Sequence, residues 1–172
     1  MNQSAPFFFS VVHDALFEST LIGIARLVGP LSSVGKPNLT IRRFEALIAD
    51  ASLKAETAAL VDRAQAAADF AMEWRNRQIA HRDLHLALNV SPNPLPTATK
   101  EKVDSALSAL HEVLGKIEVA YCKSSTVYAR SPWGAKTLLT LVQGGLLREQ
   151  EKRACWHRLE RHQDDLNPPA EV

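Results

Sequence analysis

The segment Trp74–Asp83 concentrates polar side chains in a stretch that is otherwise predicted to be an apolar helix. It contains three arginines, an asparagine, a histidine and an aspartate within ten residues. Arginine offers a planar set of donors that fits phosphate oxygens and stays charged, and histidine exchanges a proton near neutral pH. RNA cleavage without a metal ion needs these two kinds of group. The segment therefore indicates metal-independent phosphodiester chemistry.

The spacing within this segment favours a site built from two copies of the chain. Arg75 and His81 are six residues apart, which places them about 120° apart on an ideal helix, so one straight helix does not aim both at one phosphate. Phe70, Trp74 and Arg77 share a stripe with His81, and the opposite side of the helix is apolar as well. A helix that is apolar on two sides has to bury both. We therefore predict a homodimer through the long central helix, in which the Phe70 stripe meets its symmetry mate.

The elements before the segment are predicted to be helical. A first helix over about residues 7–27 carries an apolar stripe of four residues: Phe17, Leu21, Ile24 and Val28. After a polar loop, Thr40 is the predicted N-cap of a short helix that reaches about Ile48. Leu39 and Phe44 are placed to form a hydrophobic staple across that cap.

The remaining elements are predicted to be helical too. Some fifty residues without glycine or proline predict a long central helix, which begins at the N-cap Ser52 and reaches at least His81. A fourth helix over about residues 97–121 carries five apolar residues on one face: Val103, Leu107, Leu110, Leu114 and Ile117. A last helix follows the N-cap Ser131. The fold class is therefore all-α, a bundle of four to five helices with a long central helix.

Composition sets further limits. A chain of 172 residues with 46% hydrophobic residues predicts a single domain over residues 1–172, with its core at about 6–148 and a charged segment at about 149–172. The net charge of +1 excludes a broad basic surface, so phosphate recognition must be local. Two cysteines without metal or disulfide spacing fit a cytoplasmic protein. Charged residues interrupt the apolar N-terminal run, which is expected to be neither a signal peptide nor a membrane span.

Arg75 and Asn76, separated from His81 by four residues, resemble the R-x4-6-H signature of the HEPN superfamily. These α-helical proteins occur in toxin–antitoxin, phage-defence and RNA-processing systems. From about residue 6 to residue 121, the chain more particularly resembles the abortive-infection U branch of the superfamily. That likeness rests on three segments: Ala25-Arg26-Leu27, Asn38-Leu39-Thr40 and Trp74–Asp83.

The resemblance implies a metal-independent endoribonuclease that acts on single-stranded RNA as a homodimer without a cofactor. On the matching positions, Arg75 and His81 would be the catalytic pair. Four neighbouring residues are expected to contact the substrate: Asn76, Arg77, Arg82 and Asp83. A phage-defence or toxin–antitoxin setting is expected, with an antitoxin protein as a candidate partner. Asp83 stands where HEPN proteins paired with nucleotidyltransferase antitoxins often carry a modified tyrosine, so that form of neutralisation is not expected here.

Three other interpretations of the same residues stay open. Glu73 or Asp83 could neutralise the arginines in a purely structural network. His81 and His85, with Asp83 or Glu73 as a third ligand, could bind a metal ion, although no HExxH pattern supports this. A non-catalytic module that binds RNA, nucleotides or a protein could also use the same cleft. RNA degradation by the purified protein distinguishes the enzyme from the module, and elemental analysis tests for a metal.

Overall fold

The computed structural model describes residues 6–80, 83–127 and 133–163. The chain divides into two compact units, Asp14–Tyr128 and a second unit formed by Met1–His13 with Ala129–Val172. The described residues of both units are mainly helical, and the sheet among them is a single antiparallel hairpin with two residues in each strand. The predicted all-α class is therefore confirmed.

Most of the described elements lie in the larger unit, although the first of them begins in the smaller unit and enters the larger one at Asp14. Their order is α1 (Pro6–Val28), β1 (Ser32–Ser33), β2 (Lys36–Pro37), a 3-10 turn (Ile41–Arg43), α2 (Phe44–Leu47), α3 (Ala51–Trp74), α4 (Leu84–Ala87) and α5 (Lys100–Ile117). Two π-helical segments, Arg75–Ile79 and Glu118–Cys122, continue α3 and α5. The smaller unit contains α6 (Trp133–His157), and its predicted N-cap, Ser131, lies outside the described residues.

Helix α1 buries the stripe that its sequence predicts. Leu21, Ile24 and Val28 are at most 4% exposed, and Phe17 packs against the same core. The second half of α1 therefore lies in the core of the larger unit. By length and composition alone, α1 is also the one helix among the described residues that could cross a membrane. That the helix does not enter a membrane stays a prediction.

Helix α3 packs chiefly against α5. Four alanines with no exposed surface belong to the core that the two helices share: Ala64, Ala68, Ala71 and Ala106. Side chains this small let two backbones approach closely. On the surface, Glu56 pairs with Lys116 and Arg63 pairs with Glu112, an order of pairs that makes the two helices antiparallel. The small-residue face of the long helix is therefore covered by this chain's own α5.

One predicted helix start is wrong, and a second lacks the side-chain contacts that were predicted for it. Asp50 caps α3 in place of Ser52, because its carboxylate accepts the backbone N–H three residues further on at 2.7 Å. The hydroxyl of Ser52 instead bonds to Glu56 at 3.2 Å. Thr40 does precede the 3-10 turn, but its buried hydroxyl has no hydrogen-bond partner among the described residues. Leu39 is 89% exposed, so the predicted staple does not form.

The buried face of α5 also differs from the predicted one. Ala106, Leu110 and Val113 are buried, whereas Leu107 is 42% exposed. The sequence pattern selects the large apolar residues as the core face. The alanines of α3 bring α5 so close that the small Ala106 occupies the contact, and Leu107 turns toward solvent.

Candidate phosphate-binding site

The segment Arg75–Ile79, which opens the family-like motif, is π-helical. The carbonyl of Arg75 accepts a hydrogen bond at 2.8 Å from the backbone N–H of Ala80, which is five residues further along the chain. In an α-helix the donor is four residues further along. One turn here takes more than the usual 3.6 residues, so the angle of about 120° predicted for an ideal helix does not apply. Such π-turns are frequent at functional sites. His81 and Arg82 lie outside the described residues.

Trp74 anchors the start of this segment to its own chain. Its ring meets the ring of Phe17 edge-on, with centroids 5.3 Å apart, and its indole N–H donates to the carbonyl of Pro96 at 2.8 Å. Phe70, on the same stripe, is 7% exposed and belongs to the core. Phe70 and Trp74 are therefore covered by their own chain, and a dimer through the long helix stays a prediction. Sequence alone does not distinguish a face covered by other parts of the same chain from a face covered by a second copy.

Arg77 takes part in a polar network. Its guanidinium donates to the hydroxyl of Ser91 at 3.1 Å and to the carbonyl of Asn93 at 2.6 Å. It also lies 3.3 Å from a carboxylate oxygen of Glu73 and 3.7 Å from one of Asp83. These contacts tie the end of the long helix to the loop that follows α4. Arg77 was also predicted to contact the substrate. In the structure it takes part in a network of the kind that the purely structural interpretation expects.

Asp83, another predicted substrate contact, caps α4. Its carboxylate accepts the backbone N–H groups of His85 at 2.9 Å and Leu86 at 3.4 Å. The bond from His85, helped by that from Leu86 and by the charge of Arg77, lowers the pKa of the Asp83 carboxyl. The imidazole of His85 is 72% exposed beside it. Among the described residues, which do not include His81, no three side chains form a group that could hold a metal ion.

Arg75 lies in a separate cleft, which we call the hairpin cleft, of about 360 Å³. The end of α1 and the hairpin supply the rest of its lining: Ala25, Arg26, Gly29, Pro30, Ser33, Asn38 and Leu39. None of these lining residues is acidic. The guanidinium of Arg75 donates to the side-chain carbonyl of Asn76 at 3.3 Å, and no carboxylate in the described part of the chain lies within ion-pair distance of it. Its charge is therefore available to an anion.

Hydrogen bonds hold the hairpin wall of this cleft in place. The amide of Asn38 donates to the carbonyl of Pro30 at 3.0 Å, and its oxygen accepts from the hydroxyl of Ser33 at 3.1 Å. The guanidinium of Arg43 donates to the carbonyls of Asn38 at 2.5 Å and Leu31 at 2.8 Å. The wall is thus formed before any ligand binds, which lowers the entropic cost of binding.

The structure separates the residues that the sequence grouped into one site. Arg75, which donates to its neighbour Asn76, lines the hairpin cleft, whereas Arg77 and Asp83 belong to the network beside α4. Arg26, which lies in one of the family-like segments but was not predicted to contact the substrate, also lines the hairpin cleft. A basic residue in the last turn of a helix is usually explained by the helix dipole. Arg26 and Arg75 both lie in segments on which the family resemblance rests, but only the folded structure shows that they line one cleft.

Replacing Arg77 by alanine should destabilise the fold. The change removes several hydrogen bonds of a side chain that is only 21% exposed, so we expect a loss of about 2 kcal/mol in the free energy of unfolding. In a chain of this size, that corresponds to a Tm lower by about 4–8 °C. Arg63→Ala is the control, because its ion pair with Glu112 is well exposed and should contribute less than about 1 kcal/mol. Equal small losses in both variants would contradict the structural role.

Comparison with known proteins identifies the family. The HEPN family model described as AbiU2 matches residues 1–131, a span that contains α1, the hairpin, α3 and the motif. No significant match was found among curated proteins or among solved structures. The matched span is well over half of the chain and includes the segments on which the sequence resemblance rests. The chain therefore belongs to the AbiU2 family of abortive-infection HEPN proteins.

Proposed function

We propose that the protein is a metal-independent endoribonuclease that cuts single-stranded RNA in a phage-defence or toxin–antitoxin setting. Arg75 supports the proposal. This arginine of the family motif lines a cleft without acidic residues, and its described hydrogen bond, to Asn76, holds it without neutralising its charge. A guanidinium in that state can donate two parallel hydrogen bonds to the oxygens of a phosphate.

The proposed chemistry assigns one role to each motif residue. His81 accepts the proton of a ribose 2′-hydroxyl, and the 2′-oxygen forms a bond to the adjacent phosphorus. The bond from phosphorus to the 5′-oxygen breaks, and this oxygen takes a proton from the protonated His81 of the second copy in the homodimer. Arg75 donates to the non-bridging oxygens and stabilises the charge that develops on them. The products are a 2′,3′-cyclic phosphate and a 5′-hydroxyl.

A homodimer is part of the proposal, with the hairpin beside Arg75 as its interface in place of the Phe70 stripe. Val34, at the hairpin tip, is fully exposed and has a φ of 47°, which is costly for a β-branched residue. Leu31 and Leu39 are 44% and 89% exposed on the same loop. Exposed apolar groups clustered in this way are typical of an interface. A second copy seated there would bring two Arg75 side chains toward one axis.

Val34→Asn tests this interface without harming the monomer. Asparagine tolerates a positive φ better than valine, so the Tm should stay equal or rise, while light scattering at micromolar concentration should shift from dimer to monomer. Val127→Asn is the control, because Val127 is 82% exposed outside the hairpin, and it should stay dimeric. A monomeric wild-type protein, or a dimer that survives Val34→Asn, would contradict the proposed interface.

The activity itself is tested by incubating purified protein with single-stranded RNA. Cleavage that Arg75→Ala removes is expected. RNA bound but not cut would favour the alternative, a non-catalytic module that uses the same cleft. Bound zinc found by elemental analysis would favour the metal site with His81 and His85.

A further inference from the structure

We propose that Arg26 is a second RNA-binding residue, which holds the phosphate next to the one bound by Arg75. The ligand's identity as RNA rests on the proposed function. The placement of Arg26 rests on the hairpin cleft itself, which Arg26 reaches from the last turn of α1 and Arg75 reaches from the end of α3.

The charges of the hairpin cleft point to an anionic ligand. Arg26 and Arg75 line it together, and no lining residue is acidic. Two arginines that line one cleft repel each other when no anion is bound, and an anion between their guanidiniums is attracted to both. The whole chain has a net charge of only +1, so two uncompensated positive charges in one cleft are a local feature, as phosphate recognition by this protein requires.

The other arginines near the site show which contacts a structural guanidinium makes in this protein. Arg77 pairs with Glu73 and Asp83, and Arg43 donates to two backbone carbonyls. Arg26 makes no such contact with any residue in the part of the chain that the structure describes. An exposed arginine held by no partner contributes little to the fold, so binding explains its place at the cleft better than stability does.

The dimensions of the cleft fit a segment of nucleic acid backbone. Its volume of about 360 Å³ lies in the range of small-ligand pockets, which is about 300–1,000 Å³. The side chain of Asn38 is used within the hairpin, so the two guanidiniums are the main groups left to bind a ligand. The apolar ring of Pro30 on the same wall suits the sugar between two phosphates.

Salt-dependent binding tests the proposal. The probe is a short single-stranded RNA with 2′-O-methyl riboses, which wild-type protein can bind but cannot cut by 2′-hydroxyl attack. Arg26→Ala should weaken binding about tenfold and should reduce the slope of log K against log salt by about 0.7, the value for one lost contact to a single strand. The Tm should change by at most about 4 °C, because Arg26 is exposed and interacts only weakly with the dipole of α1.

Lys54→Ala is the matched control, since it removes the same charge from an exposed position near the start of α3. Lys54 and Arg75 are about twenty residues apart along the same helix, which places them about 30 Å apart. The control should keep both the wild-type affinity and the wild-type slope. If Arg26→Ala behaves like Lys54→Ala, the proposal is overturned, even if unmodified RNA is cleaved. If Arg26→Ala binds weakly while wild type cleaves nothing, the Arg26 site stands and the nuclease function fails.

Discussion

His81→Ala should abolish RNA cleavage, with a loss of at least about 10²-fold, while the Tm changes by only a few degrees. The loss is large because general acid–base groups contribute about 10²–10⁴-fold to such reactions. The change in Tm is small because a residue that serves a site adds little to packing. Cleavage of a labelled single-stranded RNA and thermal unfolding of the same preparation measure the two effects.

His85→Ala is the matched control for this variant. His85 is a neighbouring histidine whose side chain is 72% exposed, and it has no assigned role in the proposed reaction, so this variant should cleave RNA like wild type. Parallel loss of fold and activity in His81→Ala would favour a purely structural histidine. Loss of activity in both variants, together with bound zinc, would favour the metal site.

Arg75→Lys should be nearly as inactive as Arg75→Ala. Arginine offers two parallel donors to a tetrahedral phosphate, whereas lysine offers a point charge without that geometry. If Arg75 binds the scissile phosphate in this way, keeping the positive charge is not enough. Single-turnover cleavage rates of the two variants and wild type provide the measurement.

Arg63→Lys is the control for the arginine-to-lysine change, because Arg63 lies on the same long helix in an exposed ion pair. It should cleave at the wild-type rate. Near wild-type cleavage by Arg75→Lys would show that only charge is needed at this position. Arg26, the other arginine of the hairpin cleft, would then be the next candidate for the residue that binds the scissile phosphate, because Arg77 is held in its own network.

The sequence predicted the helices well where periodic burial defines them. The stripe from Phe17 to Val28 lies in the core, and α3 and α5 fall close to their predicted ranges. It did not predict the π-helical turn at Arg75–Ile79, because that turn depends on hydrogen bonds rather than on apolar spacing. The hairpin was missed because strands of two residues leave no alternating pattern, although Gly35 at φ 74° is the turn residue that such a hairpin needs.

The candidate site was predictable in its residue types but not in its arrangement. The motif drew attention to Arg75, which lines a cleft without acidic residues. It also grouped Arg77 and Asp83 with the site, whereas loop residues after α4 and the backbone of α4 bind them. A sequence shows that polar groups are close together along a helix. It does not show which of them a distant loop will neutralise, and for the same reason it could not show that Arg26 lines the same cleft as Arg75.

The chemistry of the cleaved ends, determined with EDTA present, tests the proposed nuclease most directly. Wild-type protein should cut single-stranded RNA at an undiminished rate in EDTA and should leave a 2′,3′-cyclic phosphate and a 5′-hydroxyl. A single 2′-deoxy ribose at the cleaved position should block the cut, because it removes the attacking hydroxyl. Activity that disappears in EDTA and returns with a divalent metal ion, or cleavage that proceeds at a 2′-deoxy position, would contradict a reaction carried out by Arg75 and His81 without a metal.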